Sequence, residues 1–383
     1  MFAFLLAAVT FADIAPLLAK HCVGCHRSGE IGPMPLTTHA EARPWAKAIR
    51  QAVLTKRMPP WFAAGGSLQF ANDPSLTQDE VRRFDEWARG GAPPGAAKID
   101  ILTRPPAADL LLTMPNAVRV PAKQELDYVY VALPLGLPAD RWVQSVEVRP
   151  GARRAVHHAV VYIRERGDPW PESGPRVTTN DILALYAPGQ PPSEWPSGMA
   201  KKIPAGADLV LQMHYTPTGR VEEDRTAVAV TWAKEPPSQR VLTLQLHSTR
   251  FLIPAGDPHH RLSVSGTLPN DALLLGLFPH LHLRGKAFEY AIAEGEGRLE
   301  SLLRVAPYDF YWQLYYRLKQ PRPLLKGTRL IATAWWDNSA NNLRNPDPSA
   351  DVRYGEQSRD EMMVAFFDVA VPAGVDKKTF FLR

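Results

Sequence analysis

The spacing of apolar residues predicts helices in the first quarter of the chain. Residues 41–55 place Trp45, Ile49 and Val53 at intervals of four, which is typical of one buried helix face. Residues 77–89 form a second helical pattern, which begins with a Thr-x-x-Glu capping box and is followed by two glycines that stop a helix. We therefore expect a small helical region near the N-terminus.

The pattern changes to short β-rich runs beyond residue 108. Turn-forming residues separate these runs, as in sandwich and jelly-roll sheets. The clearest predicted strands are 128–133, 143–148, 159–163, 208–214, 227–232, 272–278 and 329–335. Residues 108–383 are too many for one such sandwich, so we expect two β domains, with Glu235-Pro236-Pro237 as the boundary signal.

Composition agrees with this division. Proline accounts for 37 of the 383 residues, and ordinary usage is only about 5%. Because proline is excluded from helix interiors, a long helix bundle is ruled out. The formal net charge is +5 and the basic residues form no long run, so nothing indicates nucleic-acid binding.

Residues 1–12 form one apolar stretch. A membrane-spanning helix needs about 20 residues, so this stretch is too short to be one. It resembles the apolar core of a secretory signal, with cleavage after Ala12, although it lacks the usual positive leader. We predict an exported, periplasmic protein that does not insert stably into the membrane.

The string Cys22-Val23-Gly24-Cys25-His26 is typical of covalent haem attachment. Two thiols at this spacing can add to the two vinyl groups of haem, and the following histidine then reaches the iron. A redox or zinc Cys-x-x-Cys pair is the alternative. Zinc would normally require a further ligand pair, and the chain has no other cysteine.

The sixth ligand of a haem iron would come from downstream. Met58 is the preferred candidate because two prolines follow it and stiffen its loop, while Met34 and His39 are weaker candidates. A His/Met pair raises the iron potential, which suits electron transfer rather than oxygen binding. The sequence thus predicts a haem c held by Cys22, Cys25, His26 and Met58.

The expected fold class is multidomain, with a small all-α cytochrome c domain followed by two all-β jelly-roll or sandwich domains. The predicted segments are a signal peptide at 1–12, a haem domain at 13–95, a linker at 96–107, and β domains at 108–236 and 237–383.

Five histidines lie in strand-like contexts: His157, His158, His214, His280 and His282. Residues two apart on a strand point the same way, so the last two can bind one metal ion. The side chains of adjacent strand residues point to opposite faces. His157 and His158 can therefore share an ion only if the strand has a local twist or bulge; otherwise one of them is a ligand and the other supports it.

A methionine near the C-terminus extends this set. Met362 lies in Asp360-Glu361-Met362-Met363. Imidazole with thioether accepts copper in both oxidation states, and the sulfur favours Cu(I). Zinc is the rival metal, but it is redox-inert and would leave the haem motif unexplained.

The motifs His-His, Gln-Met-His-Tyr, His-Leu-His-Leu-Arg-Gly-Lys and Asp-Glu-Met-Met, in this order, resemble those of the copper type II, ascorbate-dependent monooxygenases. That family includes peptidylglycine and dopamine hydroxylases, and the resemblance covers about residues 108–383. The N-terminal part is similar to the cytochrome c domain of bacterial members. The family's two jelly-roll domains each carry one copper across an open cleft.

The resemblance assigns roles to the six residues. It implies that His157, His158 and His214 hold an electron-transfer copper, and that a second copper activates oxygen on the remaining ligands, His280, His282 and Met362. The implied reaction is RH + O2 + two electrons + two protons → ROH + H2O. The expected partners are O2, a small organic substrate and an external donor, either an ascorbate-like reductant or a redox protein.

One departure from the family bears on the substrate. Peptide-amidating members bind the substrate carboxylate with Arg, Asn and Tyr at the positions of Phe278, Val364 and Phe366. Because apolar side chains cannot pair a buried carboxylate, we expect an apolar or aromatic substrate. The alternative function is a periplasmic haem/copper electron-transfer or copper-handling protein without oxygenase activity, for which the same ligands would serve.

Overall fold

The computed structural model describes residues 8–99, 107–168, 181–293 and 298–380. The chain divides into two compact units. The first comprises residues 1–61 and 73–107, and the second comprises residues 62–72 and 108–383.

Short helices form the first unit. They are α1 (Phe11–His21), α2 (His39–Ala42), α3 (Ala46–Leu54) and α4 (Gln78–Arg89), with a 3-10 turn at Arg43–Trp45. The capping box predicted for the last helix is confirmed, because the Thr77 side chain accepts from the Glu80 backbone N–H. The helical pattern of 41–55 is interrupted at Pro44, which leaves Trp45 44% exposed while Ile49 and Val53 are buried.

The core of the first unit begins with α1. Phe11 is 1% exposed and its ring contacts Trp87 of α4. Cleavage after Ala12, as expected for the signal stretch, would remove Phe11 from this core. Residues 1–7 of that stretch, and residues 100–106 of the predicted linker, lie outside the described residues.

The described residues of the second unit are mainly strands. The first half has β1 (Ala63–Gly65), β2 (Leu110–Thr113), β3 (Val118–Val120), β4 (Val129–Leu133), β5 (Arg141–Arg149), β6 (Val156–Arg164), β7 (Asp181–Tyr186), β8 (Ser193–Glu194), β9 (Met199–Ile203), β10 (Asp208–Tyr215), β11 (Glu222–Asp224) and β12 (Ala227–Trp232). The second half has β13 (Gln239–His247), β14 (Leu252–Ile253), β15 (His260–Thr267), β16 (Ala272–Leu281), β17 (Gly285–Ala293), β18 (Leu299–Val305), β19 (Tyr316–Leu324), β20 (Arg329–Trp336), β21 (Val352–Arg353) and β22 (Met363–Pro372). A 3-10 turn, Lys377–Thr379, follows β22. All seven predicted strands are present.

Three larger sheets organise these strands. A nine-stranded sheet has the order β19-β16-β22-β13-β9-β5-β12-β2, with β8 paired to β5. A four-stranded sheet has the order β4-β10-β6-β7, and a five-stranded sheet has the order β1-β18-β17-β20-β15. Buried side chains of the four-stranded sheet and of β5 and β12 share one apolar core, which makes the fold sandwich-like.

The expected fold class is wrong. Of the described residues, 40% lie in strands and 12% in helices, and these residues contain no small all-α cytochrome domain. Residues 62–72, inside the predicted haem domain, belong to the β unit, because Ala63 and Gly65 pair with β18 and Phe70 bridges to Leu318.

The two predicted β domains are also not separate. The nine-stranded sheet crosses the expected boundary at 236/237, where β9 pairs in parallel with β13. Turn and proline signals mark where strands end, but they do not reveal which strands pair across the chain. The sequence reasoning therefore counted two domains where strand pairing makes one.

The four-stranded sheet has an apolar core on one face and a second set of contacts on the other. Leu209 and Leu211 of β10 point into the main core. Val210, on the opposite face, packs with Phe278, Val364 and Phe366 from β16 and β22. This second face joins the two halves of the unit and carries the histidines.

Candidate metal centre

Three of the predicted ligands lie on two paired strands. His158 of β6 is directly opposite His214 of β10, but the next pair is Val156 with Tyr215. His157 is therefore the extra residue of a β-bulge, which re-aims its side chain. The bulge supplies the local distortion that the sequence analysis required for both adjacent histidines to face the same side. We call His157, His158 and His214 the strand triad.

The Nδ1 atoms of the strand triad converge. Nδ1 of His158 lies 3.0 Å from Nδ1 of His157 and 3.4 Å from Nδ1 of His214. One ligand atom from each ring lies within 4.8 Å of the others. The Nε2 atoms of two of these rings lie near hydroxyl groups. The Tyr128 hydroxyl is 3.4 Å from His158 Nε2, and the Ser358 hydroxyl is 3.2 Å from His214 Nε2. In all three rings it is Nδ1 that faces the neighbouring histidines.

The other three predicted ligands lie where two strands end. In the β16–β22 pair, His280 is opposite Val364 and Leu281 is opposite Met363. His282 and Met362 each lie one residue beyond this pairing. The ring of His282 lies beside that of His280, and Met362 lines the same small cavity as His280. We call His280, His282 and Met362 the strand-end group.

Carbonyl oxygens orient the two rings of the strand-end group. His280 Nδ1 is 2.7 Å from Gln313 Oε1, and His282 Nδ1 is 3.3 Å from the Asp360 carbonyl oxygen. Because both oxygens can only accept, each Nδ1 carries the proton and each Nε2 keeps its lone pair. The strand-end group therefore presents Nε2, whereas the strand triad presents Nδ1.

The two groups are neighbours. The ring centroids of His158 and His280 are 5.6 Å apart, similar to the 5.2 Å between His280 and His282. Phe310 stacks on His157 with centroids 4.5 Å apart. The resemblance implies metals on either side of an open cleft, but here the rings of both groups are in contact and all five histidines are buried.

Burial keeps these imidazoles neutral. Desolvation lowers the pKa of His157 to about 3 and the pKa of His280 to about 4. The pKa values of His158, His214 and His282 also lie well below the ordinary value, first because of burial and then because of neighbouring histidines. Neutral imidazole is the form that binds metal.

The donors fit a metal ion. His282 Nε2, the nitrogen that the strand-end group presents, is buried and has no hydrogen-bond partner among the described residues. Such a nitrogen costs about 1–3 kcal/mol unless something binds to it. Three nitrogens suit copper or zinc, whereas two nitrogens with the Met362 thioether favour copper, and Cu(I) in particular.

A small cavity adjoins both groups. It has a volume of about 40 Å³, and its wall includes His158, His280 and Met362. Phe278 and Phe366 also line it. The remaining wall is Tyr128, Ala159, Val160, Tyr162, Leu185, Tyr186, Gln212, Gln313 and Glu356. The cavity is mainly apolar and aromatic, with a few polar groups.

Several supporting residues were missed by sequence reasoning. Glu361 was noted only as a neighbour of Met362, yet its buried carboxylate accepts hydrogen bonds from the segments that carry His282 and Met362. Burial raises its pKa to about 7 despite these donors. Phe310 and Gln313 come from the loop before β19, which carried no sequence signal that links it to the histidines.

The haem-attachment motif lies in the first unit, after α1. The backbone N–H groups of Cys25 and His26 both donate to the Cys22 carbonyl, which winds the motif into one turn. Both thiols are free, and burial raises the pKa of Cys22 to about 12 and that of Cys25 to about 11. His26 Nδ1 is 3.2 Å from the Met34 carbonyl oxygen, which leaves Nε2 for a metal.

These features fit a covalently attached haem, because two free thiols and an oriented imidazole share one turn. Met58 lies on the loop after α3, with its backbone N–H bonded to the Ala52 carbonyl. The pairing of Met58 with His26 as axial ligands stays a prediction. Among the described residues, no helix has the length and hydropathy needed to cross a bilayer.

Comparisons with known proteins identify no family. No protein-family model matches the chain, and no curated protein is similar to it. The major capsid protein P2 of bacteriophage PM2 matches 70% of this chain and 98% of its own, with 9% identity and a TM-score of 0.32. PNGF-II matches 69% of this chain and 66% of its own, with 10% identity and a TM-score of 0.29. Likenesses this weak support no argument about function.

Proposed function

We propose that this chain is a copper-dependent monooxygenase that hydroxylates a small apolar or aromatic substrate with O2. The observation that carries the proposal is the gathering of five buried, neutral imidazoles and one thioether at a single junction. The overall reaction is RH + O2 + two electrons + two protons → ROH + H2O. Bound copper would supply the reductive activation of O2.

The two donor sets suit different tasks. The strand triad, with three nitrogens, is proposed to hold the copper that receives electrons. The strand-end group, with two nitrogens and a thioether, is proposed to hold the copper that meets oxygen, because sulfur stabilises Cu(I). Contact between His158 and His280 supports direct electron passage between two adjacent positions, rather than passage across a wide cleft.

The cavity wall supports a small and largely apolar substrate. Phe278 and Phe366 pack with ring centroids 6.1 Å apart and line the cavity next to Met362. No arginine or lysine lines this cavity among the described residues. A substrate carboxylate would therefore be buried without a cation, at a cost of several kcal/mol.

The first unit is proposed to supply electrons through a haem c bound at Cys22, Cys25 and His26, with Met58 as the expected sixth ligand. A tethered one-electron carrier raises the local donor concentration. The electrons would come from an ascorbate-like reductant or a redox protein, in a periplasmic or otherwise exported setting. These assignments rest on the sequence motifs and on the geometry of the Cys-x-x-Cys-His turn.

The test is to count haem and copper in the purified full chain and then to measure oxygen uptake. Reduced protein would be given small aromatic and aliphatic compounds, with a glycine-extended peptide as the contrasting substrate. We expect one haem, two coppers, and oxygen uptake coupled to hydroxylation of an apolar compound. His280→Ala is the matched control, because it removes one imidazole of the strand-end group and leaves the strand triad intact.

Other outcomes are equally clear. Two coppers and a haem without substrate-coupled oxygen uptake would favour the alternative, an electron-transfer or copper-handling protein. Strong binding of the glycine-extended peptide, with weak binding of apolar compounds, would overturn the proposed substrate class. Failure of reduced haem to reoxidise when copper and oxygen are present would overturn the proposed electron relay.

A further inference from the structure

A fully buried carboxylate lies directly behind the strand-end group. Glu361 has no exposed surface and precedes Met362 in the chain. Four N–H groups converge on it. Its Oε2 accepts from the backbone N–H of His282 at 3.1 Å and from the Trp336 indole at 2.9 Å, while its Oε1 accepts from the Arg284 backbone N–H at 2.7 Å.

The fourth donor is the backbone N–H of Met362, 3.3 Å from Oε2. Three of these donors therefore meet Oε2 and one meets Oε1. Three of the four donors are backbone groups of the two segments that carry His282 and Met362. One side chain therefore binds both ligand-bearing segments at once.

A second buried layer holds the carboxylate in place. Arg284 is 2% exposed, and its guanidinium donates to Asn338 Oδ1 at 2.8 Å and to the Arg359 carbonyl at 2.7 Å. Asn338 is also fully buried and donates to the Pro254 and Ala350 carbonyls. The nearby positive charge of Arg284 opposes the rise in the pKa of Glu361 that burial causes.

The Glu361 carboxylate lies next to the end of the pairing between β16 and β22. Pairing of β16 with β22 ends at Leu281 and Met363, so His282 and Met362 lie just beyond the regular hydrogen bonds. Without another restraint, two residues at strand ends would fray. Glu361 supplies that restraint through its bonds to both backbones.

We propose that Glu361 is a positioning residue that holds His282 Nε2 and the Met362 thioether in register for one copper ion. The inference rests on the proposed function, because it assumes a metal at the strand-end group. It assigns no chemical step to Glu361. The carboxylate acts only through the two backbones that it binds.

Glutamine cannot replace Glu361 in this role. One amide oxygen can accept about two hydrogen bonds, and the amide NH2 would face N–H donors instead of accepting from them. We therefore expect Glu361→Gln to loosen the strand-end group while the strand triad, held by strand pairing, keeps its geometry.

The experiment titrates Cu(I) alone into the anaerobic full chain and records copper stoichiometry and X-ray absorption of the bound metal. In the unsubstituted protein we expect two coppers and a copper–sulfur signal that Met362→Leu removes. In Glu361→Gln we expect the second copper to bind at least tenfold more weakly and the copper–sulfur signal to be lost. Asp368→Asn is the matched control, because Asp368 is a buried carboxylate of β22 bonded to Tyr315 and Thr243.

The possible outcomes distinguish the proposed copper site from the proposed positioning role of Glu361. If the unsubstituted protein shows no copper–sulfur signal that depends on Met362, the proposed copper site itself fails. If that signal is present and Glu361→Gln retains it with unchanged affinity, the positioning role is overturned and the proposed function stands. Should Glu361→Gln not fold, Trp336→Phe removes one donor to Oε2 and keeps an aromatic ring at this position. We then expect a smaller loss of Cu(I) affinity, about threefold, and an unchanged affinity would overturn the inference.

Discussion

The strand triad and the strand-end group use similar side chains but are positioned by different means. The triad lies inside the paired strands β6 and β10, where register and one bulge at His157 determine where each ring points. In the strand-end group, His280 lies within the ladder of β16 and β22, whereas His282 and Met362 lie past its last pair. The ligands of this group depend on the carboxylate of Glu361 and on the Gln313 side chain.

This difference predicts unequal tolerance to change. Side chains within a ladder are restrained by many backbone hydrogen bonds, so loss of one supporting contact has a small effect. Side chains at strand ends are positioned by a few polar groups, so loss of one of these groups has a larger effect on their position. The comparison also predicts that the two groups bind metal separately although their rings touch.

The largest effect should come from removing one imidazole from each group. His214→Ala should abolish copper binding by the strand triad, and His282→Ala should abolish copper binding by the strand-end group, so each variant should keep one of two coppers. The metal-to-protein ratio after dialysis measures this. Loss of both coppers from either variant would show that the two groups form one shared site. The contrast between two separately positioned sites would then be wrong.

Acid should destabilise the metal-free protein. Burial lowers the folded-state pKa of His157 to about 3 and that of His280 to about 4, whereas an unfolded histidine titrates near 6.5. Between these values the unfolded chain binds more protons. As the pH is lowered below about 6.5, the free energy of unfolding should therefore decrease, by up to ~1.4 kcal/mol per pH unit for each such histidine.

Urea unfolding at several pH values between 7.5 and 5 measures this dependence. Copper-loaded protein is the control, because bound metal competes with protons for the imidazoles and should move the acid transition to lower pH. Equal unfolding free energies across this range in the metal-free protein would contradict the burial of neutral rings.

Replacing the Met362 sulfur tests the strand-end group without removing an imidazole. Met362→Leu conserves volume, so we expect less than ~1.5 kcal/mol of lost stability. The Cu(I) affinity of the strand-end group should nevertheless fall about tenfold, or ~1.4 kcal/mol, because a hydrocarbon cannot bind copper. Competition with a Cu(I) chelator measures the affinity. Met363→Leu, one residue along, is the matched control, and equal affinities in the two variants would exclude the thioether as a ligand.

The smallest effect should follow loss of one support of the strand triad. Ser358→Ala removes the hydroxyl 3.2 Å from His214 Nε2. Because β6 and β10 still hold the rings, we expect metal affinity to fall by no more than about tenfold. Isothermal titration with copper measures this, with exposed Ser349→Ala as the control. A loss as large as that from His214→Ala would mean that the ladder does not position the triad.

Sequence periodicity was reliable over short distances. It located α4 and its capping box, and it predicted that the rings of His280 and His282 lie on the same side, as their neighbouring positions show. It was wrong about the fold class, since the pairing of residues 63–65 with β18 and of β9 with β13 joins segments distant in the chain. Tertiary context decided those pairings.

The amino-acid sequence alone determined the donor types, namely five strand histidines, a methionine and a Cys-x-x-Cys-His motif, because ligand chemistry belongs to the side chains themselves. Tertiary structure alone decided that a bulge turns His157 toward His158 and that the two groups meet at one junction. It also decided that Glu361 supports Met362 and His282. The physical reason is that register, bulges and buried polar contacts arise from packing between distant strands, which no local pattern encodes.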